Sequence, residues 1–485
     1  MSIASSMHNA LSGLNAASRA VNIVSSNVAN AMTEGYASRS LELSSRSLDG
    51  AGSGVFVEGV RRQADDILIG DRRLTDAAVG YDSTKSQFLS DLEGVIGTPD
   101  KAGSLSGRIA NFESALIGAA SQPDSEARLS AVNDAANSVV SHLKTTSKNI
   151  QQARIDADQN IGQQVDKLNI GLKQVEQLNS KIQEAATRGV DPSGLMDLRQ
   201  KTIDQMSSIL PMKQLPRDNG MVALMTTGGA IVLDGKAAEF EFSPVNTIVP
   251  EMTLASGALS GLTMNGQPMR TEGDRSPIRG GSLAGEFEVR DQLAPEAQVR
   301  LDGYARDLVE RFQDPALDAT RAPGAAGLFT DAGAAFDPLN EVALSTRLSV
   351  NASVDPAQGG AVWHIRDGLG AAVPGEVGNS NLINDLVDAM TAARTPASGG
   401  FSVAARSSAG LAADLLSTIS ADLSAAETQK SFSMSQNETL KQLEMSQGVD
   451  TDAEMQKLML IEQAYAANAR VITSADEMIQ TILNI

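Results

Sequence analysis

The chain has 485 residues, a formal net charge of −20, no cysteine and only 3% aromatic residues. This length allows two to four domains, whose cores must rely on Leu, Ile, Val, Met and Ala. The acidic balance argues against nucleic acid and anionic membrane surfaces as partners, and the missing thiols exclude disulfides, thiolate metal sites and a cysteine nucleophile.

The N-terminus has no basic stretch followed by a continuous apolar run, so no cleavable signal peptide is expected. No run approaches the ~18 apolar residues of a membrane span, so no membrane insertion is expected. Instead a first helix is predicted over Ile3 to Val28. Ile3, Met7, Ala10, Leu14, Ala17, Val21, Val24 and Val28 alternate steps of four and three, which is a heptad seam. Arg19 is the only charge between Ser2 and Thr33. A water-facing helix normally carries Glu and Lys pairs, whereas small neutral residues suit close contact on several sides. This pattern favours neighbours from other subunits, although periodicity alone equally allows a terminal hairpin within a monomer.

Thr33-Glu34-Gly35-Tyr36 breaks the pattern. Residues 37–60 alternate weakly and read as strands and loops. Helix is predicted from about Gln63 to Ile96 and from Ser104 to Ala119. The longest signal runs from Ser125 to Thr187. Leu129, Val132, Ala136, Val139, Leu143 and Ile150 hold a heptad, and the phase then slips around Ala157 to Ile161 as a stutter. A helix from Leu195 to Leu210 stops at Pro211.

Composition then changes. Asp218-Asn219-Gly220 is a turn signal and Glu239-Phe240-Glu241-Phe242 alternates, so 212–282 reads as a β-rich insert. Helix returns from Glu286 to Phe312, with a break at Pro295. Residues 314–378 are rich in Gly, Pro and Ala and read as irregular. Helical pattern resumes from Asn381 to Met390 and from about Ala404 to Met445, with Leu411, Leu415, Ile419 and Leu423 on one face. Thr451-Asp452-Ala453-Glu454 reads as a capping box that starts the last helix. Its seam is Leu458, Ile461, Tyr465, Asn468, Ile472, Ala475, Ile479 and Ile482, with Asn468 the polar member.

The predicted fold is mainly α with a β-rich insert. The N- and C-terminal helices pair into a coiled-coil or helical-bundle stalk, and the middle of the chain forms outer β-containing domains. The expected units are terminal assembly helices at 1–36 and 450–485 and a helical stalk from 37–211, 283–313 and 379–449. An outer insert at 212–282 and an irregular outer region at 314–378 complete the layout.

No catalytic, cofactor or metal site is expected. His8, His142 and His364 are far apart, and no H-E-x-x-H occurs. Gly235-Lys236 is followed by Ala237, so there is no phosphate-binding loop. Gly280 to Gly285 fails the G-x-S-x-G spacing and reads as a flexible link back to the stalk. Asp65-Asp66 and Asp156/Asp158 read as solvated carboxylates. An enzyme-bearing insert is the weaker alternative.

Ser26-Asn27-Val28-Ala29-Asn30 followed by Thr33-Glu34-Gly35-Tyr36 resembles the N-terminal signature of the bacterial flagellar axial proteins, the rod, hook and hook-associated proteins. Asn27, Asn30, Gly35 and Tyr36 would form its turn. Many members follow Gly-Tyr with Ser or Thr and then Arg, whereas here Ala37 and Ser38 precede Arg39. Four further stretches resemble the hook-associated, hook–filament junction branch. They are Leu105 to Ala120 with Pro123-Asp124-Ser125; Gly189-Val190-Asp191-Pro192 leading to Leu195–Arg199; Gly281–Gly285 with Arg290-Asp291 and Leu301–Ala305; and Ala464–Ile472.

The resemblance implies a secreted structural adapter of the flagellum, exported without a cleavable signal peptide through the flagellar type III apparatus. It would polymerise with itself as a ring between hook and filament. Its other partners would be the hook protein, the next hook-associated protein and an export chaperone on the C-terminal helix. Another axial protein, the hook protein or flagellin, is the nearest alternative.

Overall fold

The computed structural model describes residues 3–33, 35–48 and 51–484. Glu34, in the predicted turn, lies outside the described residues. The fold is mainly helical with small sheets in the middle of the chain, and helices from the two ends of the sequence pack on each other.

The axis is α4 (Glu126–Thr187), 62 residues long and so roughly 93 Å from end to end. Its apolar stripe serves two cores in turn. Leu129, Val132, Val139, Leu143 and Ala157 belong to the first, and Ile161, Val165, Leu168, Leu172 and Val175 to the second. The predicted slip in heptad phase falls where the helix leaves one core and enters the next, between Ala157 and Ile161.

Around the first core lie α2 (Asp66–Ile96), α3 (Leu105–Ser121), α7 (Ala294–Gln313), α10 (Asn381–Thr391) and α11 (Ser408–Ser446). Helix α2 starts where the Asp65 carboxylate accepts from the Ile67 and Leu68 amides at 3.0 and 3.1 Å. Asp65 is exposed, as expected of a solvated carboxylate, and it also serves as the N-cap. Ser104 caps α3 in the same way, accepting from the Gly107 amide at 3.1 Å. The α2–α11 pair joins residues more than 350 positions apart through Ser433 Oγ, which donates to Asp82 at 2.6 Å, and Asn437 Nδ2, which donates to Asp76 at 2.8 Å.

The second core holds α5 (Ser193–Ser207), α6 (Ser282–Glu288) and a four-stranded sheet, and the sheet and a three-stranded sheet are formed within 212–268. The first sheet runs β3 (Met212–Pro216), β4 (Val222–Thr226), β5 (Ile231–Asp234) and β6 (Lys236–Ala237); the second runs β7 (Phe240–Glu241), β8 (Thr263–Met264) and β9 (Gln267–Pro268). The insert is fastened to α4 by buried charge. Asp158 is 0% exposed and pairs with Arg290 at 2.7 Å, which corrects the expectation of a solvated carboxylate. Asp156, two residues earlier, is exposed as expected.

The Gly280–Gly285 stretch is not a flexible link. Ser282 N donates to Ser208 O at 2.9 Å, and a Cβ on Gly281 would run into the Ile209 carbonyl. Glycine is required there because two backbones touch. The predicted break at Pro295 appears as one π turn over Val289–Leu293, between α6 and α7. Proline supplies no N–H, and the widened turn absorbs the mismatch without ending the rod.

Residues 314–378 do contain few regular elements, yet they contribute side chains to the first core. Phe329 from β10 (Phe329–Asp331), Leu344 from α8 (Leu344–Arg347), Leu348 and Val350 from β11 (Leu348–Val350) and Ile365 from α9 (His364–Asp367) are all buried in the first core. Phe329 packs edge-on against Phe112 and Phe312, with ring centroids 5.6 and 5.2 Å apart.

A groove of about 580 Å³ remains between α2, α4 and α6. Burial there pushes the Glu286 carboxyl up to about 7, and Asp156 reinforces the shift while the Asn160 amide opposes it. Asp91 and Lys430 also line the groove. The unfolded chain ionises Glu286 from its ordinary value of 4.5 upward, while the folded chain keeps the proton. Stability is thus expected to fall as pH rises from about 4.5 to 7 and to level off above. In urea titrations Glu286→Gln should abolish that component and be more stable than wild type at pH 7.5 by about 2–3 kcal/mol. Parallel pH profiles for the two proteins would refute the assignment.

Candidate assembly interface at the chain ends

Helix α1 (Ile3–Ala29) and helix α12 (Thr451–Leu483) form an antiparallel hairpin. Asn27, at the end of α1, meets Glu454 in the first turn of α12, and Gly13 faces Asn468 further along. The two predicted seams therefore find each other within one chain, so neither end waits wholly unpaired. On α1, Ala10, Ala17 and Val24 are buried, Ile3, Met7, Leu14 and Val21 half-buried, and Val28 exposed. On α12, Ala475 is buried, Leu458, Ile461, Asn468, Ile472 and Ile479 are half-buried, and Tyr465 and Ile482 are exposed.

Two helices can cover only one face of each other. The rest of α12 stays open and much of it is apolar. Leu460 is 65% exposed, Met459 56%, Met478 49% and Val471 45%. Leu460, Ala464, Ala467, Val471, Ser474 and Met478 again follow four-and-three spacing, so α12 carries a second stripe beside the seam it shares with α1.

At the inner end of the hairpin, Asn27 is 0% exposed. Its Nδ2 donates to Glu454 Oε2 at 3.0 Å and to Arg39 O at 2.8 Å; its Oδ1 accepts from Tyr36 OH at 2.8 Å and Arg39 N at 3.0 Å. The other oxygen of Glu454 receives Lys457 Nζ at 2.6 Å. One amide thus locks the end of α1, the turn after it, the strand beyond and the start of α12. Gly35 has φ of +79°, which an L side chain rarely adopts. Asn30 Nδ2 closes the helix end on Ser26 O at 2.9 Å.

The predicted capping box is displaced by one residue. Asp450 caps α12 by accepting from the Asp452 and Ala453 amides, both at 3.0 Å, and Glu454 turns inward to Asn27 instead of back to the cap. A signal for this was present in the sequence. Glu454 lies four residues before Leu458 and so continues the seam spacing with a carboxylate, which calls for a buried partner.

The hairpin joins the body through strands β1 (Ser38–Leu48) and β2 (Ala51–Gln63), an antiparallel pair lying on α1. Ser12 Oγ accepts from the Val55 amide at 3.1 Å. Arg39 of β1 and Arg62 of β2 grip the two oxygens of Asp197 on α5, at 2.6 and 2.7 Å. The Arg39 guanidinium also lies over the Tyr36 ring, 4.9 Å from its centroid. Sequence reasoning missed Arg62 and Asp197, since nothing local pairs residues 135 positions apart.

At the centre of the hairpin a Cβ on Gly13 would lie 2.7 Å from Asn468 Nδ2. Alanine at an exposed helix position is worth about 1 kcal/mol over glycine. Gly13→Ala should show none of that gain while Asn468 is present, and Gly13→Ala with Asn468→Ala should recover it relative to Asn468→Ala alone. Thermal melting of the four proteins checks this, and a gain of equal size in both backgrounds would refute the close contact.

Among the described residues no three His, Asp or Glu side chains come together to hold a metal, and no helix is long and apolar enough to cross a membrane. His142 is half-buried, with Nε2 3.2 Å from Ile96 O and its pKa lowered by burial and by Arg108. His364 stacks on Trp363 with ring centroids 3.7 Å apart.

Three family models match this chain in order. A flagella basal body rod protein model matches residues 7–36, the flagellar hook-associated protein FlgK helical domain matches 89–327, and the flagellar basal body rod FlgEFG protein C-terminal model matches 442–485. The chain is 24% identical to flagellar hook-associated protein 1 of Bacillus subtilis over 509 aligned residues, spanning 97% of this chain and 96% of that protein. It is 24% identical to the Escherichia coli protein of the same name over the full length of both. With the Salmonella typhimurium protein identity is 27% over 54% of this chain and 51% of that one. A solved structure, the flagellar hook junction protein FlgK from Burkholderia pseudomallei, gives a TM-score of 0.45 at 17% identity, covering 56% of this chain and 47% of that one. With its two ends folded into one hairpin, a helical body between them and relatives aligned from end to end, the chain belongs to the flagellar hook-associated protein 1 family, a family of structural parts of the flagellum and not of enzymes.

Proposed function

We propose that this chain is the adapter that polymerises at the hook–filament junction and joins the hook to the flagellin filament. The observation that carries the reading is the second apolar stripe of α12, Leu460 to Met478, left open beside the seam that α12 shares with α1. In a ring of copies that stripe packs on the hairpin of the next subunit. The residues of both seams, with the turn at Asn27, Asn30, Gly35 and Tyr36, set the shape of each hairpin so that neighbours repeat. Residues 1–36 and 450–485 act as the assembly unit, and the helical body with its 212–282 insert faces outward.

The partners that follow are other copies of this chain, the hook protein on one side and the next hook-associated protein on the other. Before export, the open face of α12 is the surface an export chaperone covers. The test is a strain producing this protein without residues 3–29. It should make hooks that carry no filament and shed flagellin into the medium. Full filaments in that strain would overturn the reading, as would normal filaments with Leu460→Lys, Val471→Lys and Met478→Lys together.

A further inference from the structure

Near the grip of Arg39 and Arg62 on Asp197 lies a small cavity of about 20 Å³, lined chiefly by Arg62, Asp66, Arg73, Arg199, Gln200 and Gln214. These residues come from β2, α2, α5 and β3, the elements that meet where the terminal hairpin joins the body. Two of the three guanidiniums have carboxylate partners. Arg62 binds Asp197 at 2.7 Å and Arg73 binds Asp204 at 2.6 Å. Arg199 has none. It is 7% exposed, and only its Nη1 is hydrogen-bonded, to the neutral oxygens Asn179 Oδ1 at 2.9 Å and Gly220 O at 2.7 Å.

A buried guanidinium without a counter-charge is strongly unfavourable. Deprotonation does not relieve it at neutral pH: burial, then Arg62 and Arg73, pull Arg199 down only to about 10, with Asp66 opposing them from a distance. Asp66, the one carboxylate in the lining, is exposed and makes no ion pair among the described residues. The volume is that of one water-sized occupant, too small for phosphate or sulfate, and its donors are cationic. We propose that this cavity binds a single monatomic anion, of the chloride class, held by Arg199 between Arg62 and Arg73. The anion completes the charge balance of Arg199 and ties β2, α2, α5 and β3 together at the root of the hairpin.

The experiment uses the full chain. Chloride-35 resonance linewidth is measured with increasing protein, and melting is compared in sodium chloride and sodium gluconate at equal ionic strength. The wild type should broaden the chloride line. It should melt about 1–2 °C higher in chloride once chloride exceeds its dissociation constant severalfold. Arg199→Gln should lose both effects. Asp66→Asn, which removes only the competing negative charge, should saturate at lower chloride, and it decides the matter if Arg199→Gln does not fold. Equal melting in the two salts with no broadening by the wild type would overturn the proposal and leave the cavity to water. A chloride effect that persists in Arg199→Gln would overturn it as well.

Discussion

Asn27→Ala is expected to loosen the root of the terminal hairpin by about 3 kcal/mol, seen as roughly 100-fold faster amide exchange at residues 24–29 and 454–458. The amide makes four hydrogen bonds, and its removal leaves the Arg39 N–H and C=O, the Tyr36 hydroxyl and one oxygen of Glu454 short of partners. Glu454 is 4% exposed and keeps only Lys457. Each unsatisfied buried polar group carries a penalty of about 1–3 kcal/mol, part of which water recovers once the turn opens. Asn27→Asp should be worse, because it sets a second carboxylate against Glu454 and removes a donor shared by two acceptors. Asn30→Ala is the control. Its bond to Ser26 O lies near the surface, and an effect under about 1 kcal/mol is expected. If exchange at 454–458 is unchanged in Asn27→Ala, the end of α1 does not hold the start of α12.

The second large effect is expected at the fastening of the insert. Arg290→Met should destabilise the chain by about 3–5 kcal/mol, because it strands the buried carboxylate of Asp158. Arg290 meets Asp158 at 2.7 Å and Asp291 at 2.8 Å, and its guanidinium lies 5.5 and 5.0 Å from the ring centroids of Phe242 and Phe287. Asp158 also accepts from the Val245 amide at 2.6 Å. Asp158→Asn combined with Arg290→Met keeps that acceptor and removes the stranded charge. The double variant should therefore be more stable than Arg290→Met alone by about 2 kcal/mol, the sign of coupling that a charge pair predicts. Urea midpoints give the energies. Limited proteolysis should cut Arg290→Met within 240–262 before any other segment, since Phe242 and Val245 lose their anchor together. Additive effects in the double variant would mean that the pair contributes through packing alone.

The contrast between these two sites explains what the sequence made legible. Helix α4 could be read to within a residue at each end, because its stripe, its acidic start and the Gly-Pro stretch after it are all local signals. The same holds for the turn at Asn219-Gly220, where both residues have positive φ. Asp158 could not be read. A carboxylate on a helix looks solvated until its partner, 132 residues later in chain order, is placed beside it. Residues 314–378 hid their buried side chains for another reason: single turns and three-residue strands have no period, so Phe329, Leu344 and Ile365 look like isolated apolar residues in a glycine-rich stretch. At the chain ends the heptad spacing was plain, and it identified two strips that would pack. It also paired them with each other, as the structure has them, but it could not say that Glu454 would point at Asn27, because register between distant helices is set by contacts that periodicity does not encode.

The unbroken run of α4 through both cores has a mechanical consequence. A strut of roughly 93 Å with no loop in its length can bend only by gentle curvature spread along it, not at a hinge. The terminal hairpin does not engage that strut through the Asp197 pairing, since Arg39 and Arg62 hold a carboxylate of α5.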